Sequence, residues 1–155
     1  MHALLLPQFF RTTSTNPDFR QMVNELDIDL YQRNGDIQSQ YERYNQIDNI
    51  KHSVVIYIDG KPVGCGCFKP FDPETIEVKR MFVKPEMRGK QLATGLLCEL
   101  EKWAVEEGYS NAVLETGRRQ VEAQALYNKA GYFRTENYGQ YAGMEDSICY
   151  RKALK

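Results

Sequence analysis

Two adjacent stretches, TIEVKRMFV and LATGLLCELEKWAVE, constrain this chain more than any others. The first alternates in the manner of a strand, so that Glu77, Lys79, Met81 and Val83 are expected on one face, and Pro85 ends the run. The second places Leu92, Leu96, Leu97, Leu100, Trp103 and Ala104 at three- and four-residue spacing, the stripe of an amphipathic helix running from about Lys90 to Glu107, with Gly108 as its C-terminal stop. NAVLET then reads as a short buried strand. Strand, helix and strand in that order demand a right-handed crossover and a parallel pair.

The flanking segments add antiparallel neighbours. SVVIYIDGKPVGCGCFKPF is two β-branched runs joined at Asp59-Gly60, a hairpin signal. A strand is expected near Phe9 to Thr12. A helix follows, with Asn16 as N-cap, Pro17 at its first position and Phe19, Met22, Val23 and Leu26 on its apolar side. After a turn at Arg33-Asn34-Gly35, the residues Ile37, Tyr41, Tyr44 and Ile47 recur at helical spacing. Val121 to Ala130 reads as a last helix stopped by Gly131, and two more strands are expected near Tyr132 to Asn137 and Ser147 to Lys152. The fold class is therefore α/β, with a mixed, mostly antiparallel sheet flanked by helices.

With 155 residues, 42% of them apolar, the chain has the size of one domain, and neither repeats nor a linker divide it. Its formal net charge of −1 gives no overall attraction to nucleic acid or to an anionic membrane, so an anion site must be local. MHALLLPQFF lacks a basic segment and a cleavage pattern and is broken by Pro7, so no signal peptide is expected; with no run of membrane-spanning length, a cytoplasmic protein is. Cys65, Cys67, Cys98 and Cys149 form no ligand-like spacing with His2 or His52 and are read as ordinary buried thiols, with no metal expected.

The junction between the strand and the long helix carries the chemistry. A helix start exposes about four amides without internal partners and roughly half a positive charge. Gly89 permits close approach of the backbone, and Arg88 and Lys90 add charge, a combination that suits a pyrophosphate. Solvated residues flanking a tight turn would give the same letters. There is neither a Walker P-loop nor a G-x-G-x-x-G fingerprint.

VKRMFVKPEMRGKQLATGLL resembles the acetyl-CoA-binding core of the GNAT superfamily of N-acetyltransferases, in which Gln/Arg-x-x-Gly-x-Gly/Ala lies between the fourth strand and the next helix. Arg88, Leu92 and Ala93 stand at matching positions, and Gln91 stands where the family usually has its central glycine. AQALYNKAGY is similar to the family's Ala-x-x-Leu-Tyr-x-x-x-Gly-Phe/Tyr signature, and the matches span roughly Val54 to Arg134. The resemblance implies a splayed fourth and fifth strand pair. Met81, Phe82 and Val83 would pair through their backbone with the pantetheine of acetyl-CoA. Arg88, Gly89, Lys90, Gln91, Leu92, Ala93 and Thr94 would hold the pyrophosphate, with contacts shifted by Gln91, and Gln120 would add a cofactor contact.

The same resemblance implies Tyr127 as the general acid beside the thioester sulfur and Glu77 as the general base; local packing of Tyr127, and pairing of Glu77 with Lys79 or Arg80, are the structural alternatives. Asp72 and Glu74 fall in an exposed turn. Direct transfer to a primary amine of a small molecule or peptide in a ternary complex follows, without a covalent step at Cys98, which is placed inside the long helix. A noncatalytic acyl-CoA-binding regulatory module is the competing class; an RNA-binding domain is disfavoured, because the aromatics are not interleaved with basic clusters. The acceptor groove would draw on Tyr31, Tyr41, Tyr44, Tyr138 and Tyr141, in a monomer or a homodimer.

Overall fold

The computed structural model describes residues 6–34 and 49–155. Its element order is β1 (Gln8–Thr12), α1 (Pro17–Asn34), β2 (His52–Ile58), β3 (Lys61–Asp72), β4 (Thr75–Val83), α2 (Leu92–Glu106), β5 (Asn111–Gly117), α3 (Val121–Lys129), β6 (Phe133–Thr135) and β7 (Ser147–Ala153). The helical spacing of Ile37, Tyr41, Tyr44 and Ile47 lies outside the described residues.

Local chemistry sets the element ends. The Asn16 side-chain oxygen accepts the amides of Asp18 and Phe19 at 2.8 and 3.3 Å, which caps α1 and leaves Pro17 where its missing N–H costs nothing. Asp59 and Gly60 both take positive φ, 53° and 74°, as a two-residue hairpin between twisted strands requires. The long helix begins at Leu92, two residues later than its apolar stripe suggests. A 3₁₀ turn at Pro85–Met87 and positive φ at Gly89 and Gln91 occupy the preceding chain.

Seven strands form one sheet in the order β1-β2-β3-β4-β5-β7-β6. Every neighbouring pair is antiparallel except β4 and β5, whose parallel pairing is what the crossover through α2 dictates. One face is covered by α2 and α3. There Leu92, Leu96, Leu97, Leu100 and Ala104 pack with Val54, Ile56, Phe68, Ile76 and Leu114. The other face receives α1, whose Phe19, Met22, Val23, Leu26 and Leu30 bury against Val55, Cys65, Cys67 and Phe82.

The alternation expected along TIEVKRMFV fails in its second half. Cys67 faces Lys79 and Cys65 faces Phe82, so two steps along β3 match three along β4, and Arg80 absorbs the extra residue at φ 59°. This bulge exchanges the faces. Met81 and Val83 join the α2 side, whereas Glu77 and Lys79 point to the opposite side with Phe82. Arg80 turns under α1 to Asp27, and its Nε has no hydrogen-bond partner among the described residues.

Three of the four cysteines are buried, as expected, whereas Cys98 is exposed on α2; all are free. The Cys65 and Cys67 thiols donate to the carbonyls of Arg80 and Lys79, and burial pushes Cys67 up to about 12, which keeps it protonated. Among the described residues no helix is long and apolar enough to cross a membrane.

The bulge leaves little room on β3. A Cβ at Gly64 would lie 2.6 Å from the Phe82 carbonyl oxygen and 2.9 Å from Ile56 Cδ1. Gly64→Ala is therefore expected to force β3 from β4 and lose about 1–3 kcal/mol of stability in urea denaturation; a loss below about 0.5 kcal/mol would contradict the tight register.

Candidate active site

Parallel pairing of β4 and β5 covers four residue pairs, Thr75 with Asn111 through Val78 with Leu114, and then stops. Both strands continue, β4 to Val83 and β5 to Gly117, so the sheet opens between them. Along the open part of β4 the backbone groups not used by β3 lack a neighbouring strand, and such groups need partners. The opening leads into a cleft of about 350 Å³.

The cleft is walled by β4 on one side and α3 on the other, with the start of α2 at its end and Leu26, Asp29 and Arg33 of α1 across its mouth. Among the residues singled out from the sequence, Met81, Phe82, Val83, Arg88, Gly89, Gln91, Leu92, Ala93, Thr94, Gln120 and Tyr127 line it. Lys90 and Glu77 do not. Lys90 is solvent-exposed, and Glu77 lies on the far face of the sheet, where the bulge leaves it.

At the head of α2, Gln91 takes the N-cap position in the left-handed conformation, φ 61° and ψ 23°, and makes no side-chain cap. The first-turn amides of Leu92, Ala93 and Thr94 are thus uncapped beside the cleft. Gly89 is left-handed as well, at φ 80°, with open space where a Cβ would stand, so its role is conformational. This set of amides with an arginine fits a diphosphate.

Arg88 braces the turn. Its Nε donates to the Val83 carbonyl at 2.9 Å, its guanidinium lies 5.9 Å from the Phe82 ring centroid, and its Nη2 is 3.8 Å from Asp29. Arg33 pairs with Asp29 at 3.3 Å and with Glu122 of α3, drawing α1 and α3 together at the mouth. Gln120 holds the turn between β5 and α3, its Oε1 accepting the Gly117 amide at 2.8 Å and the Thr116 hydroxyl at 3.3 Å.

Tyr127 is buried on α3 between the rings of Tyr132 and Tyr150, at centroid distances of 5.9 and 6.0 Å. Its hydroxyl forms no hydrogen bond among the described residues. Burial, and then the charge of the Glu115 carboxylate, push the Tyr127 phenol well above its ordinary range. It is therefore protonated, a phenol and not a phenolate.

The far face of the opening is a buried polar cluster. The Tyr138 hydroxyl donates to Glu77 Oε2 at 2.8 Å, while Glu77 Oε1 stands 3.9 Å from Lys69 Nζ and 4.0 Å from Lys79 Nζ. Lys79 Nζ donates to the Tyr141 hydroxyl at 3.4 Å, and burial lowers its affinity for a proton. Ser147 Oγ donates to Glu115 Oε2 at 2.8 Å. Burial pushes the Glu115 carboxyl up to about 7 against the opposing pull of Ser147 and Lys79. Tyr138 and Tyr141, expected in the acceptor groove, thus sit over these acids, whereas Tyr31 is exposed on α1. Lys79 was read only as a pairing partner of Glu77, which it is, and Glu115 was missed by the sequence reading; a carboxylate inside the otherwise apolar NAVLET was the available signal.

The comparisons with known proteins agree with this geometry. The sequence model described as the Acetyltransferase (GNAT) family matches residues 17–132. An uncharacterized N-acetyltransferase of Schizosaccharomyces pombe is 28% identical over 131 residues, 78% of each chain. A protein of Azospirillum brasilense named IAA acetyltransferase is 40% identical over 97 residues, which are 61% of this chain and 63% of that one. Among solved structures, a Klebsiella pneumoniae protein named for acyl-CoA N-acyltransferase activity superposes with a TM-score of 0.80 at 28% identity, covering 97% of this chain and 99% of that one. A GNAT family acetyltransferase of Elizabethkingia anophelis, crystallised with acetyl-CoA, gives 0.67 at 19% identity, with coverage of 95% and 97%. With the family matched over about three quarters of its length and the open strand pair above an uncapped helix start, this chain belongs to the GNAT family of acetyltransferases.

Proposed function

We propose that this chain is an acetyl-CoA-dependent N-acetyltransferase of one domain that works in the cytoplasm and moves an acetyl group to a primary amine of a small molecule or peptide, by direct attack in a ternary complex. The observation that carries the reading is the opening between β4 and β5, which runs from uncapped amides at the head of α2 to a buried tyrosine proton donor. Acetyl-CoA, as donor, supplies an activated acyl group on a thiol leaving group. The family's use of this carrier, and its presence in the Elizabethkingia relative, support the choice.

The residues of this chain then divide the work. Leu92, Ala93 and Thr94 offer their amides, and Arg88 its charge, to the diphosphate, with Gly89, Gln91 and Gln120 shaping the wall. Backbone groups of Met81, Phe82 and Val83 accept the peptide-like part of the carrier as an added strand would. Lys90, exposed beyond the cleft, adds only long-range charge. Tyr127 protonates the departing sulfur, and the acidic face headed by Glu77 receives the proton that the acceptor ammonium must lose before attack.

Release of free CoA, followed with a chromogenic thiol reagent across a panel of amines, tests the reading. Tight acetyl-CoA binding without release from any amine would indicate a noncatalytic module. Arg88→Ala is expected to weaken acetyl-CoA binding roughly tenfold by calorimetry with kcat little changed. Tyr127→Phe is expected to lower kcat about 100-fold and leave that affinity within about twofold. The reverse assignment of effects would show that the two roles are misplaced.

A further inference from the structure

We propose that Glu115 is the immediate proton acceptor for the attacking amine, with Glu77 placed one step back as the group that orders Tyr138 and Lys79 around it. The inference rests on the transfer reading above and deepens it.

Position separates the two acids. Glu77 lies inside the paired part of the sheet, opposite Val113. Its side chain is 3% exposed and is closed over by the Tyr138 hydroxyl, with two lysine ammonium groups about 4 Å away. Glu115 is the first residue of β5 beyond the last pair, Val78 with Leu114, and stands where the strands part. Neither carboxylate lines the cleft itself, and of the two it is Glu115 whose charge strengthens the hold of Tyr127 on its proton. The carboxylate that stands at the opening is therefore not the one that the sequence pattern favours.

The surroundings suit proton acceptance. Facing Glu115 are Glu77 and Lys79 from β4, Ser147 and Cys149 from β7, Tyr141 from the turn before β7, and Tyr127 from α3. Ser147 orients the carboxylate, and Lys79 favours its charge. Burial opposes that charge and sets the group near 7, so it is ionised enough to accept a proton and basic enough to hold one. Cys149, pushed up to about 11, stays protonated.

The step balances. An acceptor ammonium gives one proton to Glu115; its freed lone pair forms the C–N bond to the thioester carbonyl carbon while the C–S bond breaks. The sulfur takes the Tyr127 proton, the surplus proton on nitrogen restores the Tyr127 phenol, and Glu115 releases its proton to solvent. One amide, one thiol and one proton leave.

Two measurements on the full chain test this. Carbon-13 NMR of protein labelled at the glutamate carboxyls, with the Glu115 signal identified by its loss in Glu115→Gln, should show titration near 7 and a midpoint displaced by bound acetyl-CoA. This readout needs no acceptor; a midpoint in the ordinary carboxylate range, or one that acetyl-CoA leaves in place, overturns the proposal. The second measurement is CoA release with tryptamine, spermidine and a glycyl peptide as probe acceptors across pH. Glu115→Gln should lower kcat about 100-fold and abolish the acid limb near 7, with acetyl-CoA affinity within about twofold. Glu115→Asp should restore part of the rate and retain a limb. If the wild type turns over and Glu115→Gln keeps its limb, the assignment to Glu115 alone is overturned. If the wild type binds acetyl-CoA and releases no CoA with any probe, the transfer reading falls and takes this role with it.

Discussion

Pairing between β4 and β5 ends after four residues, and most of what is distinctive in this protein depends on that interruption. A crossover through α2 obliges the two strands to run parallel, and parallel strands inside a sheet ordinarily stay paired for their full length. Here a bulge at Arg80 twists β4 away. Backbone groups beyond it lose their partners, and each would cost about 1–3 kcal/mol if buried dry. The gap is stable only when water or a ligand with peptide-like groups fills it. The same short turn that ends β4 delivers the head of α2 to the end of this gap, so hydrogen-bonding edge and positive dipole end lie in line.

The bulge also sorts side chains. Without the extra residue, Met81 and Val83 would share a face with Glu77 and Lys79, mixing apolar and charged groups on both sides of the sheet. With it, Met81 and Val83 pack toward α2, and the charged pair turns toward Tyr138 and Tyr141. One face becomes apolar and suited to a long carrier chain. The other gathers Glu77, Lys79, Tyr138 and Tyr141 into one polar cluster.

Much of this was legible in the letters, for a physical reason. The stripe from Leu92 to Ala104, the cap at Asn16 and the turn at Asp59-Gly60 are signals carried by neighbours within a few positions, and each formed where expected. The cleft wall from Arg88 to Thr94 was legible in the same way, because a helix start depends on local chain geometry. Register is different. Whether β4 carries an extra residue is decided by its pairing with β3, so alternation in TIEVKRMFV misplaced the faces of its last residues. Glu115 was obscure for a related reason. Its strand reads as buried, and only the sheet order shows that it stands at the opening. Lys90, charged and beside the right glycine, points to solvent because the turn, not the helix, contains it.

Gln91 shows what the family's glycine supplies at that position. The residue occurs with φ 61°, so the left-handed conformation is kept although a side chain there costs about 1 kcal/mol relative to the right-handed region. Gly89 shares the strain by taking positive φ two residues earlier, and Arg88 fixes the turn by binding the Val83 carbonyl. The geometry of the following amides therefore survives the substitution. What changes is the wall, since Gln91 lines the cleft with a flexible amide where glycine would leave bare backbone. The amides at the head of α2 stay uncapped, and a side-chain amide stands beside them. The substitution thus changes the wall of the cleft without removing the uncapped amides and positive dipole end of α2.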